Sequence, residues 1–469
     1  MSVKWDESVD VIVVGTGFAG LSAAIEAFNA GASVLVLEKM KGPGGNSLIS
    51  DGGVAAAGTA GQNSAGIIDS ADVMYSDMMR AGLGINQPEL VRTLVDQSAE
   101  AYEWSKKFLG VKYLDRIDIF GGHSVPRCFT AENISGVTII KQLMKKVREL
   151  SIPVHFQNIL KDFVIDKNSG VPGVIVQDNY NFKSRDGGSL RYIKAKKSVI
   201  LATGGFGSDV GFRSAQDPRL NESIKSTNQP YSTAEGLKSG LKAGAAPVQL
   251  SHIQLGPWAS PDETGYGDGP AFSEYILFQY GLLVDPASGK RIVNELADRK
   301  SLSDRILEIG YPCIGIADSA AVDESGWNID KCLKKKVVKT FNSIESLADA
   351  YHINKKQLEL TIQRFNMFVE EKKDRDFNKP ILDTAREITK PPYYAIRLWP
   401  KVHHTMGGLR INAKAQVLDL DGEVIKGLFA AGEVTGGVHG ASRLGSCAIT
   451  ECFVFGRIAG KNAAGEIEE

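Results

Sequence analysis

The stretch that most constrains this chain is Gly15-Thr16-Gly17-Phe18-Ala19-Gly20, set between two segments of different apolar period. Residues 11–14 form a short continuous apolar run, residues 21–29 have helical apolar spacing, and residues 33–37 form a second run that closes on Glu38. Strand, glycine turn, helix and second strand together make a βαβ unit that opens a parallel sheet. Gly15, Gly17 and Gly20 let the backbone approach a pyrophosphate at the helix N-terminus, where unpaired N–H groups and the positive end of the helix dipole favour an anion. Glu38 is placed to accept from adenosine ribose hydroxyls. A dinucleotide is the expected ligand.

The rest of the chain allows room for it. At 469 residues the length predicts two or three structural units. Lys and Arg (54) nearly cancel Asp and Glu (55), so neither nucleic acid nor an anionic membrane surface is an expected partner. No window approaches a membrane span, and the opening residues lack the basic and apolar regions of a secretory leader. The expectation is a cytoplasmic protein as written, or a periplasmic one if a leader has been removed. The five cysteines, Cys128, Cys313, Cys332, Cys447 and Cys452, have neither metal-site nor haem-attachment spacing, and no metal is expected.

Glycines cluster at 15–20, 42–66, 204–207 and 432–445, as expected of repeated close approaches to one ligand. Residues 197–202 and 427–430 read as buried strands ending in glycine-rich turns, so the sheet draws on both ends of the chain. Residues 254–400 differ in texture, with more aromatics and a charged helical section over 343–374. The predicted fold class is α/β: a Rossmann-like FAD-binding domain (1–253 and 401–469) with an inserted α+β capping domain (254–400). The end of the chain, GEIEE, reads as a solvated tail.

The segments Gly44-Gly45-Asn46-Ser47, Ala202-Thr203-Gly204-Gly205 and Ala430-Ala431-Gly432-Glu433, added to the first glycine turn, resemble the flavoprotein subunits of fumarate reductase and succinate dehydrogenase over nearly the whole chain. The resemblance implies FAD as cofactor, held by Gly45, Asn46, Ser47, Gly52, Gly53, Thr203, Gly204, Gly205, Glu433 and Ser446 in addition to the first turn and Glu38. Relatives in membrane complexes attach FAD through a histidine before a Gly-Gly pair. Counting back from Gly52-Gly53, Asn46 stands there, so FAD is expected to be non-covalent.

Three further segments, at 291–299, 403–408 and 436–445, are similar to soluble fumarate reductases of the flavocytochrome c type and to urocanate and acrylate reductases. The implied reaction passes a hydride from flavin N5 to the β-carbon of an enoate and a proton to its α-carbon. Arg443, with a planar fork matched to a carboxylate, and His404 would clamp and polarise that group. Arg299 matches the family's proton donor and Glu274 the acid that reloads it. The residues alone leave other roles open: Arg443 as a phosphate or flavin ligand, Arg299 in a surface pair with Asp298 or Glu295, and Glu274 as a solvated carboxylate. His403 reads as structural, and His123 and Arg127 are near the flavin only by loose resemblance.

The pattern departs from fumarate reductases where the second substrate carboxylate is held. The histidine expected there aligns with Gly256, the threonine with Ser273, and a relay arginine with Leu277. Trp258, Tyr266, Tyr275 and Phe278, with Tyr280, are expected in the pocket wall, along with Thr405. Losing a carboxylate partner and gaining aromatic surface favours a monocarboxylic aromatic or heteroaromatic enoate, such as cinnamate or urocanate, with acrylate or methacrylate next.

A ketosteroid-type dehydrogenase would not need Arg299, His404 and Arg443 together, and an aspartate oxidase-like enzyme expects a dicarboxylate site. A flavin-binding electron-transfer or regulatory subunit is the remaining class. No haem motif or second nucleotide fingerprint is present, so an external electron donor, a cytochrome or flavoprotein, is the expected partner beside the small unsaturated carboxylate. Acid precipitation of the purified protein should leave the yellow colour in the supernatant; colour retained in the pellet would show a covalent flavin.

Overall fold

In the computed structural model of the protein, which describes residues 3–166 and 170–465, the expected βαβ unit is the centre of the largest sheet. The Glu-rich end falls, from residue 466 on, outside the described residues. The strand Glu7–Val14 lies parallel to Val34–Glu38 on one side and to Leu190–Leu201 on the other. Val154–Phe156 extends the sheet beyond Val34–Glu38, and Val424–Ala430 extends it beyond Leu190–Leu201, both in parallel. Ile159–Asp166, Gly170–Gln177 and Gln416–Leu418 add antiparallel pairings, giving eight strands among the described residues.

The last four residues of Glu7–Val14 and all of Val34–Glu38 are buried, which explains their unbroken apolar sequence: strands covered on both faces have no solvent side to alternate with. One cover is the pair of helices Phe18–Asn29 and Cys447–Gly465. They approach closely because Gly456 and Gly460 face the first helix's backbone: a Cβ there would lie 2.6 Å from the Ala19 carbonyl and 2.3 Å from that of Ala23. The strand ends Val14, Glu38, Leu201 and Ala430 therefore open onto one crevice, where ligands of open parallel sheets bind.

The inserted segment builds its own antiparallel sheet in the order Leu282–Val284, Cys313–Asp318, Tyr393–Leu398, Val338–Phe341. Alternation separates its faces. Leu282 and Val284 pack with Leu347, Leu358 and Phe365, whereas Leu283 packs with Phe272, Ile276 and Ile306. The charged section at 343–374 is two helices, Ile344–Tyr351 and Lys355–Glu370. His352 ends the first in a left-handed conformation, and the Asn354 side chain caps the second.

The two ends of the insertion meet in a ladder: Ile253–Gly256 pairs antiparallel with Lys401–Thr405, with Gln254 opposite His404. This places the capping sheet over the crevice of the large one. No helix among the described residues is long and apolar enough to cross a membrane.

Gly15 is a tight point beneath the crevice with a left-handed backbone. Its φ is +114°, and a Cβ would stand 2.2 Å from the Ala202 carbonyl oxygen. Gly15→Ala combines a disfavoured backbone with an overlap against main chain, and should cost roughly 2 kcal/mol or more. The expected result is a lower midpoint in thermal unfolding and a flavin-to-protein absorbance ratio well below that of the wild type.

Candidate active site

Gly15, Thr16, Gly17, Glu38, Gly45, Asn46, Ser47, Thr203, Gly204 and Glu433 all line one cavity at the strand ends. The N-cap of the helix Phe18–Asn29, Gly17, supplies no side-chain cap; Ser47 Oγ accepts from the Phe18 N–H at 3.1 Å, and the first-turn N–H groups beyond it suit an anion. Glu38 is buried and already organised: Thr16 donates to it from both N–H (3.2 Å) and hydroxyl, and Met40 N–H donates at 2.9 Å. Burial pushes its carboxyl up, against those donors. Gly20 lies behind the cavity; its missing side chain lets helix and strand pack, with a Cβ position only 2.0 Å from the Gly15 carbonyl.

A second cavity continues from the first and shares Phe18, Asn46, Ser47, Glu433 and Cys452 with it. Gly53, Ser446, Arg299, His404, Arg443, Trp258 and Tyr266 line it. An elongated ligand entering at the strand ends thus runs directly into the cluster of cationic and aromatic side chains.

Arg299 opens the helix Arg299–Ile309, capped by Asp298. Its Nη2 donates to Glu274 at 2.8 Å, its Nη1 has no partner, and the guanidinium lies 5.4 Å from the centre of the Trp258 ring. It therefore pairs with neither Asp298 nor Glu295, and Glu274 is buried, not solvated. Burial pushes the Glu274 carboxyl up, opposed by the Arg299 charge. Arg443 donates through Nη1 to its neighbour's carbonyl, that of Leu444, and leaves Nε unpartnered. Burial, with Arg299 nearby, lowers it to about 10, still a cation near neutral pH. His404 stands on Lys401–Thr405 with Nδ1 3.5 Å from Glu433 and Nε2 unpartnered. Burial and Arg443 hold it well below the usual imidazole range, so it is neutral.

Several expected wall residues lie elsewhere. Gly256 is at the end of its strand with its vacant side-chain space filled by an indole: a Cβ would be 2.3 Å from the Trp258 ring. Ser273, Glu274, Tyr275 and Leu277 fall in a π-helical turn, Ser273–Leu277. Ser273 donates to the Gly269 carbonyl at 3.1 Å, inside its own helix. Tyr275 stacks on Trp327 and meets the edge of Phe120, outside the cavity. Phe278 lines a separate narrow cavity behind Arg299. Thr405 holds Glu433 from its N–H (2.9 Å) and hydroxyl (3.3 Å), and Gly205 leaves room for both, since a Cβ would overlap each at 2.3 Å. Gly52 packs on Ala131 and Ser135 beneath the wall. Of the expected aromatic set, only Trp258 and Tyr266 remain at the cavity.

Other residues take their places. His403 lines the cavity, accepting or donating at Thr227 (2.9 Å) and meeting Trp258 edge-on at 4.6 Å. Asp51 joins the same wall; its neighbours Gly52-Gly53 drew attention in the sequence and it did not. Tyr266 is presented by a loop that Glu263 closes on Asp268 and Gly269 N–H groups and that Lys401 secures through the Glu263 and Gly265 carbonyls. Arg127 and His123 lie under the site: buried Arg127 pairs with Asp69 and Asp77 and donates to His123 Nδ1, so His123 Nε2–H donates to the Gly445 carbonyl at 2.9 Å. His404, His439 and Glu451 bring ligand-type atoms within 4.8 Å of one another, but His439 and Glu451 are paired at 2.9 Å and Arg443 acts on His404, an arrangement suited to an anion beside it.

The chain matches the FAD binding domain family over residues 10–449. It is 40% identical to the acrylate reductase flavoprotein subunit of Shewanella woodyi, covering 98% of this chain and 92% of that one. It is 37% identical to a fumarate reductase (cytochrome) of Shewanella frigidimarina, covering 98% and 77%. Among solved structures, the open conformation of a flavocytochrome c3 fumarate reductase superposes with a TM-score of 0.77 at 33% identity, over 98% of this chain and 79% of that one. The chain belongs to the fumarate reductase-like family of FAD-binding flavoproteins. It is an FAD-dependent oxidoreductase.

The site of this flavoprotein fits its cofactor. The glycine-led helix start suits a pyrophosphate, Gly45 and Gly204 face open space where a Cβ would meet nothing within 4 Å, and the buried Thr203 hydroxyl has no partner among the described residues. Each is a feature that a bound dinucleotide would complete.

Burial pushes the Glu433 carboxyl up to about 7. In the FAD-free protein the folded chain then holds this proton more tightly than the unfolded chain does. The cost is absent below the ordinary carboxyl range, grows as pH rises toward 7, and is constant above, reaching about 3 kcal/mol. Flavin-stripped Glu433→Gln protein should accordingly be more stable to urea than stripped wild type at pH 8, with the difference shrinking toward pH 5; a pH-independent difference would contradict the assignment.

Proposed function

We propose that this flavoprotein reduces the C=C bond of a 2-enoate with a single carboxylate, its far end aromatic or heteroaromatic as in cinnamate or urocanate. Reduced FAD, when bound, supplies the hydride for the β-carbon. Arg443 holds and polarises the carboxylate: its unpartnered Nε lets the fork engage both oxygens in a water-poor site. His404, being neutral, adds a dipole in place of a second charge. For its Nε2–H to donate, Nδ1 must be the unprotonated ring nitrogen; Nδ1 lies 3.5 Å from Glu433, whose carboxyl burial pushes up to about 7.

Arg299 gives its proton to the α-carbon as negative charge builds there, the one circumstance in which a guanidinium is acidic enough. Glu274, 2.8 Å away and pushed up by burial, returns that proton. Non-covalent FAD is supported by Asn46, whose amide is engaged with Asn228, Ser232 and the Gln229 N–H. A separate electron donor, a cytochrome or flavoprotein, is supported by the S. woodyi relative being named a subunit.

The observation that carries the substrate reading is the packing of Trp258 into the space above Gly256. That position presents the six-membered ring of the indole where the resemblance expects a histidine, so a second carboxylate there would be buried without a cationic partner. A second reading, a small enoate such as acrylate, is favoured by the reduced aromatic wall and by the name of the S. woodyi relative.

A panel of enoates assayed by reoxidation of reduced viologen should show monocarboxylic enoates exceeding fumarate by roughly 100-fold in kcat/KM, the size expected of one unpaired buried carboxylate. Arg299→Ala should keep FAD and lose on the order of 1,000-fold in turnover. Fumarate as best substrate, or an unchanged rate in the variant, would refute the reading.

A further inference from the structure

The reaction consumes a proton from Arg299 at every turnover, so Glu274 must be reloaded from solvent, and Glu274 is buried. Its route lies on the side of Arg299 away from the substrate. The narrow cavity there is lined by Glu274, Gln279 and Glu295 and by Gly121, Ala297 and Phe278. Arg299 and Trp258 are walls of both this cavity and the larger one, so the guanidinium separates the two spaces. The cavity has room for roughly one or two ordered waters, and its polar lining gives such waters the two to four partners they need. Gln279, Gly121 and Ala297 are half-exposed, so they form its rim toward solvent.

Two carboxylates meet this cavity, and their surroundings assign them different work. Glu295 is held by Arg291 at 2.8 Å and Lys379 at 3.4 Å. Against burial, those cations keep it below the usual carboxylate range. Glu274 has the single cation Arg299, and burial prevails. A proton entering the cavity therefore settles on Glu274, next to the group that spends it.

We propose that this cavity is the water-filled proton inlet of the enzyme, with Gln279 as the side chain that orders water between the rim and Glu274. The inference rests on the enoate-reductase reading above. The balance is simple: Arg299 loses a proton to the α-carbon, Glu274 passes its proton to Arg299, and a water at the inlet restores Glu274 from bulk solvent. No further reductant or oxidant enters.

Because Arg299 begins each cycle charged, the first turnover needs no delivery through the inlet. In Gln279→Leu, which keeps volume and removes the polar group, one rapid reoxidation of pre-reduced enzyme by enoate should proceed at the wild-type rate. Steady-state kcat should fall about tenfold, with KM for the enoate unchanged and the solvent deuterium isotope effect on kcat raised. Gln279→Glu should recover most of the loss. Ala297→Leu, which narrows the rim, is an independent variant with the same expected split. Wild-type steady-state kcat and isotope effect in both Gln279→Leu and Ala297→Leu would overturn the inlet, as would a first turnover slowed equally with the rest. Failure of wild-type enzyme to reoxidise with any enoate would instead remove the underlying reaction.

Discussion

The short ladder between Ile253–Gly256 and Lys401–Thr405 is the constraint on which the site depends. An insertion whose ends did not pair would hang from two loops, and its position over the flavin crevice would be set by weak contacts alone. Antiparallel hydrogen bonds fix it from both sides. The same strands carry the chemistry: His404 and Thr405 at one end, Lys401 at the other, and Trp258 two residues beyond Gly256. A shift of one residue in this register would displace both His403 and His404 from the positions at which they line the cavity.

Electrostatically the site sets two buried arginines, Arg299 and Arg443, among the carboxyls of Asp51, Glu433 and Glu451 that line the same cavity. Arg443 lacks a carboxylate partner within hydrogen-bonding distance and Arg299 shares one. An unpartnered buried guanidinium is costly, and a substrate carboxylate is the group that relieves the cost. The imidazoles of His403 and His404 are both held uncharged by burial and by the two arginines beside them. The acids divide by their surroundings: Arg291 and Lys379 hold Glu295 below the usual carboxylate range, whereas burial raises Glu274 and pushes Glu433 up to about 7.

Much of this was legible in the sequence, and the reason differs by part. The βαβ unit, the crevice and the glycine turns are local patterns, and residues 11–14, 21–29 and 33–37 fold as their spacing requires. Arg299, His404 and Arg443 stand in long similar segments and line one cavity, and Glu274, matched singly, meets Arg299 behind it. The pocket wall was less readable. Ser273 and Tyr275 sit in a π-helical turn, whose extra residue rotates side chains out of the positions that α-helical spacing predicts. Asp51 and His403 reach the cavity through tertiary placement of loop and strand, with no local signal.

The packing of Trp258 over Gly256 makes two chain positions behave as one. No side chain fits at 256 while the indole stands at 258, and removing the indole alone would leave a void beside Arg299, which loses the ring beneath its guanidinium. The substrate preference proposed for this end of the cavity would thus not be adjustable in single steps. A lineage passing between one-carboxylate and two-carboxylate substrates through these positions would have to exchange both residues together, so closely related chains should separate into two discrete groups here, without intermediates.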